Sequence, residues 1–372
     1  MHGDERLYTL AFLAVPGIAC RRIARLREQF GSLEAAWHAP RSALEAMPDL
    51  GGKAFAAVEA CRTSMSALDA AKRLLENLER REIGMHVPDA EEYPTLLREI
   101  ADPPAALFVK GRMPPPGPMV ALVGTRGATA YGLRTARRLA AELAAHGVTV
   151  VSGLALGIDA AAHAGALETG KTVAVLGSGL DHAGPARNLR LAEQIVANGG
   201  GLLSEYLPAT PAAAGQFPAR NRIVSGMCHA TVVVEAPLRS GALITADLAL
   251  EQGREVMAVP GPIDQPQSAG TLQLLSQGAK LVTSVEDILA ELPATGHGRP
   301  LGAAGGAKPV FPRDLPPDEA RILKALGPDP RHVDRITAES GLPAAVVTGL
   351  LLVLELKAFV VQLPGNHYIR HS

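Results

Sequence analysis

Aromatic side chains and cysteines are both scarce in this chain. Only 3% of its 372 residues are Phe, Tyr or Trp, which argues against a long groove of stacked aromatic rings. The three cysteines, Cys20, Cys61 and Cys228, lie far apart and form no CxxC pair, so neither a disulfide framework nor a zinc site is predicted. This cysteine usage fits a reducing cytoplasm best.

Long apolar runs and net charge are lacking as well. No run reaches the roughly 18 apolar residues that a membrane-spanning helix needs. The apolar stretch from Leu7 to Cys20 follows Asp4 and Glu5 and precedes Arg21-Arg22, the reverse of the charge order in a secretion signal. The net charge is −1 with His neutral, so any polyanion site must be a local patch. We therefore expect a cytoplasmic protein without membrane contact.

The length of the chain is sufficient for two or three domains. Helical periodicity predominates first, an alternating strand and helix pattern follows, and a stretch rich in Gly, Ala and Pro precedes three more helices. The predicted divisions are a SAM-like or helix-hairpin-helix domain at 1–85, an extended Rossmann-like domain at 86–293, a flexible linker at 294–317 and a winged-helix domain at 318–372.

Two glycine turns stand out in the amino-terminal segment. Val15 to Ala19, between two helical stripes, looks like a helix-hairpin-helix turn, and Pro48 to Lys53 is a looser second copy. Arg21, Arg22 and Arg25 lie close by, and such turns can present amides to phosphates. The alternative is a helical packing domain with a solvated basic face, and we favour that interpretation here.

The central region predicts an α/β fold with a mostly parallel sheet that is covered on both faces. Strands are expected at 120–123, 148–151, 172–176, 231–235 and 256–259, and helices at 133–146, 159–168, 188–197 and 242–252. Three glycine-bearing turns follow strands, at 124–127, 152–157 and 239–241. In an open sheet such turns gather at the carboxyl ends of the strands, where amides face a ligand.

Two common nucleotide-binding classes are disfavoured. Gly124-Thr125-Arg126-Gly127 is not GxGxxG, and Val151-Ser152-Gly153 supplies no acidic residue for a ribose hydroxyl, which argues against dinucleotide oxidoreduction. The chain also lacks GxxxxGK[ST], the phosphate loop of P-loop ATPases. We expect no cofactor and no metal.

Two arginines flank an asparagine in the segment from Phe217 to Arg222. Guanidinium groups in such apolar surroundings are costly to desolvate unless an anion or a carboxylate meets them. We expect an extended loop in which either Arg220 or Arg222 reaches a phosphate while the other braces the loop against Glu205 or Glu235. The sequence does not decide between them.

Motifs spread over about 200 residues resemble the DNA-processing protein A family (DprA, also called Smf). They are Tyr93-Pro94, Asp102-Pro103-Pro104, Val123-Gly124-Thr125-Arg126, Tyr131-Gly132, the run from Ser152 to Asp159, His163, Ser204-Glu205-Tyr206, the run from Phe217 to Arg222, the run from Ser240 to Thr245, and Pro260-Gly261. The resemblance implies an extended Rossmann fold that binds single-stranded DNA, forms a homodimer and loads the RecA recombinase during natural transformation.

The candidate DNA contacts combine glycine turns with arginines, and we expect mainly backbone-directed binding. They are Gly124, Thr125, Arg126, Ser152, Gly153, Gly157, Lys171, Phe217, Arg220, Asn221, Arg222, Arg239, Ser240, Gly241 and Thr245. Asp159 and His163 are interpreted as a helix-start carboxylate with a local His partner, in preference to a metal or acid/base pair. The alternative function is a nucleotide sensor or nucleotide-cleaving enzyme with Glu205 or Glu235 as general base.

The carboxyl-terminal segment has a winged-helix pattern. Helices are expected at 318–326, 333–339 and 344–356, and a hairpin around Pro364-Gly365-Asn366. The third helix contains no Lys or Arg to reach phosphates or guanine edges. We therefore predict a protein-contact or packing module and not a reader of the major groove.

Overall fold

The computed structural model describes residues 5–293, 316–326, 331–356, 359–363 and 367–370. They belong to two compact units, one within Met1–Leu301 and one within Gly302–Ser372. Apart from its last two positions, the predicted linker at 294–317 lies outside the described residues.

Helices build the chain between residues 5 and 80. They are α1 (Glu5–Leu13), α2 (Cys20–Phe30), α3 (Leu33–His38), α4 (Arg41–Glu45), α5 (Gly52–Thr63) and α6 (Met65–Arg80), with a 3-10 turn at Pro48–Leu50. Ser32 caps α3, because its Oγ accepts a hydrogen bond from the amide of Ala35 at 3.0 Å. Phe12 and Trp37 pack edge to face in the helical core, with ring centroids 5.1 Å apart.

One sheet crosses the first compact unit. Its strands within the described residues are β1 (Ile83–His86), β2 (Leu107–Gly111), β3 (Met119–Val123), β4 (Thr149–Ser152), β5 (Thr172–Val175), β6 (Gly201–Ser204), β7 (Ala230–Val233), β8 (Glu255–Ala258) and β9 (Lys280–Leu281). Their order is β1-β2-β6-β5-β4-β3-β7-β8-β9. All pairs from β6 to β9 in this order are parallel, whereas β2 is antiparallel to β1 and to β6. The prediction of a mostly parallel sheet is confirmed.

Helices cover both faces of this sheet, as predicted. They are α7 (Thr95–Arg98), α8 (Ala130–Ala145), α9 (Ile158–Thr169), α10 (Leu189–Ala197), α11 (Gln216–Gly226), α12 (Gly241–Glu251), α13 (Ala269–Ser276) and α14 (Val285–Leu289), with 3-10 turns at Leu180–His182, Ala186–Asn188 and Pro266–Ser268. The helices α8, α9 and α14 share an apolar core with one face, and α11, α12 and α13 share one with the other. Every residue of β3 is buried, which explains why its sequence is continuously apolar.

The amino-terminal helices and the sheet belong to the same compact unit. Buried residues of α1 to α6 share an apolar cluster with Leu154 and Leu176 beside the sheet and with Ile195 of α10. The predicted boundary between 85 and 86 lies within β1, which pairs with β2. The division into domains at that point stays a prediction.

The strand order reverses at β3. From β3 the chain proceeds outward to β4, β5 and β6, and it then returns to place β7 beside β3 before β8 and β9 follow. The carboxyl ends of β3 and β7 therefore border a crevice, which is where open α/β sheets bind their ligands.

The second unit is a winged helix. Its elements are α15 (Pro317–Ala325), β10 (Arg331–His332), α16 (Val333–Ser340), α17 (Ala344–Leu356), β11 (Val360–Leu363) and β12 (His367–Arg370), with strand order β10-β12-β11. The predicted helices and hairpin strands are confirmed, and the turn at 364–366 lies outside the described residues. Although α17 is apolar, none of the helices in the described ranges is long and apolar enough to traverse a bilayer.

Candidate nucleic-acid interface

The loop after β3 is fastened on both sides. The amide of Thr125 donates to the carbonyl of Glu235 at 2.7 Å, and the amide of Ile158 donates to the carbonyl of Thr125 at 3.2 Å. Gly124 leaves no room for a side chain, since a Cβ atom there would lie 2.5 Å from Cγ1 of Ile158. The loop is therefore held rigidly between the end of β7 and the start of α9.

Two exposed arginines lie at the crevice. Arg126 belongs to the loop after β3, and its guanidinium carbon lies 5.5 Å from the centre of the Phe217 ring. Arg239 belongs to the loop after β7. Within the described part of the chain, neither guanidinium forms an ion pair with a carboxylate. Both charges therefore remain available to an anion.

The carboxylate at the end of β7 is directed to α8 and not to these cations. Glu235 is 3% exposed and accepts hydrogen bonds from the amide of Thr129 at 2.9 Å and from its hydroxyl at 2.5 Å. The start of α12 carries no acidic residue in its first turn, and Ser240 caps it by accepting from the amide of Ala242 at 3.3 Å. The helix end that faces the crevice thus keeps its positive character.

The segment with the paired arginines is helical, and the prediction of an extended loop is wrong. Phe217 to Arg222 lies within α11. Pro218 is the third residue of this helix, where the amide has no partner within the helix, so proline is tolerated. At about 100° per residue, side chains two positions apart point to nearly opposite sides of a helix, whereas in an extended chain they share a side. Arg220 and Arg222 consequently have different surroundings.

Arg220 holds the loops that follow β4 and β5. Its Nη1 donates to the carbonyl of Gly153 at 2.8 Å and also to the carbonyl of Val175. The side chain is buried, and burial lowers the pKa of Arg220 while the charge of Asp159 opposes that change. A Cβ atom at position 153 would lie 2.3 Å from Nη2, so any side chain there would displace the Arg220 guanidinium. Arg220 borders the crevice, but its donors are engaged in its walls.

Arg222 braces the other side of α11. Its Nη1 and Nη2 each donate to an oxygen of Glu205 at 2.7 Å, and its Nε donates to the carbonyl of Asp102 at 3.0 Å. Burial lowers the pKa of Arg222, but the hydrogen bonds and charge of Glu205 outweigh it and the net pKa is raised. Nη2 also lies 3.6 Å from Sγ of Cys20, the first residue of α2. The bracing arginine is therefore Arg222, and its main acid is Glu205, with Oδ2 of Asp102 at 3.2 Å from Nε as a second one.

The helix start predicted to receive a phosphate is already occupied by a carboxylate. Oδ2 of Asp159, in the first turn of α9, accepts hydrogen bonds from the amides of Gly153 at 3.1 Å and Ala155 at 3.3 Å. Burial raises the pKa of Asp159, and the charge of Arg220 opposes the rise. These two amides are therefore already engaged by the protein's own acid, and phosphate binding at this turn stays a prediction.

His163 is a buried neutral ring, and its predicted pairing with Asp159 is wrong. Its Nδ1 lies 2.7 Å from Oγ1 of Thr172, whose hydroxyl donates to the carbonyl of Val150 at 2.7 Å. The single hydroxyl hydrogen is thereby used, so Nδ1 must be the donor to Thr172. Nε2 then carries no hydrogen and has no partner. Burial, with a further contribution from the charge of Arg220, lowers the pKa of His163 to about 3.

Replacing His163 with glutamine is expected to reduce the loss of stability in acid. The unfolded chain binds a proton below about pH 6.5, whereas the folded ring does so only near 3. The stabilisation is therefore complete above the unfolded pKa and is lost as the pH falls toward the folded one, at up to about 1.4 kcal/mol per pH unit. Between pH 6.5 and about 4.5 the wild type should lose roughly 2 kcal/mol more than the variant in urea unfolding.

The matched control for this measurement is the exposed His146, which directly follows α8. Its replacement with glutamine should leave the acid dependence of the wild type unchanged. If H163Q loses as much stability between pH 6.5 and about 4.5 as the wild type, His163 is not a buried neutral ring.

Asn221 and Thr245 both donate to the first residue of α12. Nδ2 of Asn221 donates to the carbonyl of Gly241 at 3.3 Å, and Oγ1 of Thr245 donates to the same carbonyl at 3.2 Å. Oδ1 of Asn221 accepts from Nε of Arg220 at 3.3 Å. Asn221 thus links α11 to the start of α12, whereas the Thr245 hydrogen bond lies within α12.

The crevice forms one pocket of about 560 Å³. Most of the predicted contacts line it together: Gly124, Thr125, Arg126, Gly153, Phe217, Arg220, Asn221, Arg239, Ser240, Gly241 and Thr245. They come from the loops after β3, β4 and β7 and from α11 and α12. The carboxylate among the lining residues is Asp159, whose role in the wall was not anticipated from the sequence.

Four predicted contacts lie elsewhere. Ser152 is fully buried, and its hydroxyl bonds within the sheet. Gly157, with φ of 80°, lets two loops approach, since a Cβ atom would lie 2.4 Å from the carbonyl oxygen of Thr125. Lys171 directly precedes β5 and so lies at the amino-terminal edge of the parallel strands, away from the crevice. Neither Lys171 nor Arg222, which lies on the other side of α11, lines the crevice, so a contact of either with DNA stays a prediction.

Sequence reasoning missed a second cavity of about 250 Å³ beside the pocket. Arg126, Phe217 and Arg220 border both spaces, and the inner wall is apolar, with Leu154 and Leu176. Leu154 adopts φ of 55°, a conformation that branched residues rarely accept. The leucines within the glycine turn at 152–157 were the available signal, because a solvated turn has no need of them.

The crevice lacks an arrangement for acid/base or metal chemistry among the residues that the structure describes. No group of three or more His, Cys, Asp or Glu side chains is placed to hold a metal ion in those residues. The acids considered as general bases are engaged, Glu205 by Arg222 and Glu235 by Thr129. The geometry is suited to holding an anion.

Comparison with known proteins agrees with this geometry. Residues 84–293 match the family model described as DNA recombination-mediator protein A, which is more than half of the chain. The chain belongs to the DprA family. Residues 307–366 match the DprA winged helix domain. The resemblance seen in the motifs is confirmed, together with the Rossmann-like and winged-helix fold that it implied.

Relatives in the DprA family extend over most of the chain. Protein Smf of Synechocystis sp. is 37% identical, and the match covers 100% of both chains. Protein Smf of Escherichia coli is 42% identical over 76% of each chain. DNA processing protein DprA of Bacillus subtilis is 45% identical over 55% of this chain and 69% of its own.

Solved DprA structures share the fold. The protein of Streptococcus pneumoniae superposes with a TM-score of 0.66 at 33% identity and covers 79% of this chain and 100% of its own. DNA processing protein A of Helicobacter pylori, described for its single-stranded DNA binding mode, gives a TM-score of 0.50 at 30% identity over 56% of this chain and 94% of its own.

Proposed function

We propose that this DprA protein binds single-stranded DNA in the crevice at the carboxyl ends of β3 and β7 and releases it chemically unchanged. One observation carries the proposal: Arg126 and Arg239 are both exposed, face the same pocket and have no carboxylate partner within the described ranges. Unpaired guanidinium groups at a pocket are typical of phosphate recognition.

The remainder of the pocket suits a flexible polynucleotide. The uncompensated start of α12 adds positive potential beside Arg239. Phe217 supplies one aromatic ring, already in contact with the Arg126 guanidinium, on which a base can stack. The pocket is recessed among loops, so an unpaired strand can enter it while the rigid cylinder of a duplex is kept outside. Binding through phosphates and a single ring is expected to tolerate any sequence.

The wider role that we propose follows from family membership. The matched family is named for mediating DNA recombination, and the Helicobacter pylori relative is described with single-stranded DNA. We propose that this chain acts in the cytoplasm as a homodimer, protects incoming DNA and loads RecA onto it during natural transformation or recombination. The engaged state of Glu205 and Glu235 supports a non-enzymatic role over nucleotide cleavage.

A salt titration of the wild type tests the proposed function. For single strands the logarithm of the affinity falls with the logarithm of salt concentration by about 0.7 per neutralised phosphate, so contacts with two phosphates predict a slope near −1.4. Single-stranded oligothymidylate should bind more tightly than a duplex of equal length and be recovered intact on a denaturing gel. Equal or tighter duplex binding, or shortened oligonucleotide, would refute the proposal.

A further inference from the structure

Tyr131 presents an aromatic ring to solvent in the first turn of α8. The residue is 39% exposed, and its hydroxyl donates to the carbonyl of Pro260, in the loop after β8, at 2.9 Å. Among the residues that the structure describes, none forms an aromatic or cation–π contact with this ring. The hydrogen bond therefore fixes a ring that is open to a further planar group.

Arg134 lies on the same side of α8, because side chains three positions apart are neighbours on a helix surface. Arg134 is exposed and forms no ion pair with a carboxylate of the described ranges. The positions three and four residues away from it hold Ala130, Tyr131, Arg137 and Arg138, and none of these is acidic. Its own helix therefore offers it no carboxylate.

The neighbouring arginines are compensated, whereas Arg134 is not. Arg137 and Arg138 each form an ion pair with a glutamate. The exposed Asp264, in the loop that holds the Tyr131 hydroxyl, makes no ion pair with Arg134. The Arg134 guanidinium is thus available to an anion beside an accessible aromatic ring.

This ring and this cation lie close to the central pocket without lining it. Thr129, the N-cap residue of α8, donates to the carboxylate of Glu235, which follows β7. Tyr131 comes five residues after Arg126, so their Cα atoms are at most about 18 Å apart. A strand that leaves the pocket beside Arg126 therefore needs only a few nucleotides to reach the start of α8.

We propose that the start of α8 binds the same single strand where it leaves the central pocket, with one base stacked on Tyr131 and a neighbouring phosphate paired with Arg134. The inference rests on the proposed function and extends its site. An aromatic ring beside a guanidinium suits an unpaired strand, since every base has a π-face and every nucleotide carries a phosphate. A strand held at two places gains affinity only if it is long enough to reach both.

Oligothymidylates of two lengths test the proposal on the full chain. One of about 6 nucleotides fills the central pocket, and one of about 20 nucleotides also reaches α8. R134Q should weaken binding of the long strand about fivefold and make its salt slope shallower by about 0.7, because one phosphate contact is lost. Y131L should weaken it about tenfold with an unchanged slope, because no charge is removed. Both variants should bind the short strand like the wild type.

Two matched variants serve as controls. Y131F keeps the ring and loses only the hydrogen bond to Pro260, so it should bind the long strand like the wild type. R73Q, at an exposed position of α6 that does not line the pocket, removes the same charge as R134Q and should bind both strands normally. An equal weakening in R73Q would overturn the proposal, because a general field would then explain the effect of R134Q.

An abasic oligonucleotide tests the stacked base without relying on the fold of a variant. A strand of about 20 nucleotides with thymines only in a run of about 6 should bind the wild type about tenfold more weakly than the full oligothymidylate. Y131L should bind the two long strands alike.

Three results would overturn the proposal. They are wild-type affinity for the long strand in either R134Q or Y131L, an equal loss of the short strand in these variants, and equal binding of the abasic and complete strands by the wild type. Failure of the proposed function is distinct, since the wild type would then bind neither the short nor the long strand.

Discussion

Loss of both exposed arginines, in R126Q/R239Q, is expected to weaken single-stranded DNA binding about a hundredfold, with about tenfold from each. The physical reason is that these two guanidiniums face the pocket without a carboxylate partner in the described residues. Glutamine keeps much of the side-chain length and removes the charge. The salt slope of the variant should be shallower by about 1.4 than that of the wild type, measured by fluorescence anisotropy with oligothymidylate.

The fold should be unaffected by this change. Both arginines are exposed and make no ion pair in the described part of the chain, and substitutions at such positions alter stability by about 0.5 kcal/mol or less. The variant K72Q/R73Q, at two exposed positions of α6 that do not line the crevice, removes the same charge as a control and should bind like the wild type. Wild-type affinity and slope in R126Q/R239Q would show that the crevice is not the binding site.

Arg222→Ala is expected to cause a large loss of stability, in contrast to R126Q/R239Q. The guanidinium and the carboxylate of Glu205 are both largely buried, with side-chain exposures of 8% and 13%. Removing one partner leaves an uncompensated buried charge, which costs about 3 to 5 kcal/mol. Urea unfolding at neutral pH measures the change. The tie between α11 and the carbonyl of Asp102 is lost as well.

Substituting Glu205 together with Arg222 distinguishes a structural role of Arg222 from a direct contact with DNA. In R222M/E205L no buried charge of this pair remains, and a substantial part of the stability should return. The double variant should also retain most of its affinity for single-stranded DNA, because Arg222 lies behind the helix that lines the pocket. If R222M/E205L recovers stability but binds as weakly as R126Q/R239Q, Arg222 has a direct role in binding.

The local pattern of apolar and polar residues was sufficient to predict most of the fold. Burial leaves a local trace in the sequence of a regular element. The fully buried β3 is a continuous apolar run, and the half-buried helices α8 and α12 are amphipathic, so both kinds of element can be predicted. The carboxyl-edge position of Arg126 and Arg239 also follows from local order, because each comes directly after a strand. The same reasoning would have placed Lys171 correctly, since it directly precedes one.

The helical state of Phe217 to Arg222 was not accessible in this way. A proline with two arginines and an asparagine fits a loop, and it fits the first turns of a helix equally well. The choice depends on packing of Ile223 and Val224 against the sheet, which involves residues far away in the chain. Assigning the two arginines to different partners depended on that choice.

The sequence by itself determined the mostly parallel α/β class, the glycine turns and the set of cationic residues, because periodicity and residue chemistry are local properties. Only the tertiary structure decided which cations remain open to a ligand. Arg220 and Arg222 are engaged by carbonyl and carboxylate oxygens distant in sequence, whereas Arg126 and Arg239 have no carboxylate partner among the described residues. Whether a charge is compensated depends on contacts between remote segments, and no residue type or spacing specifies those contacts.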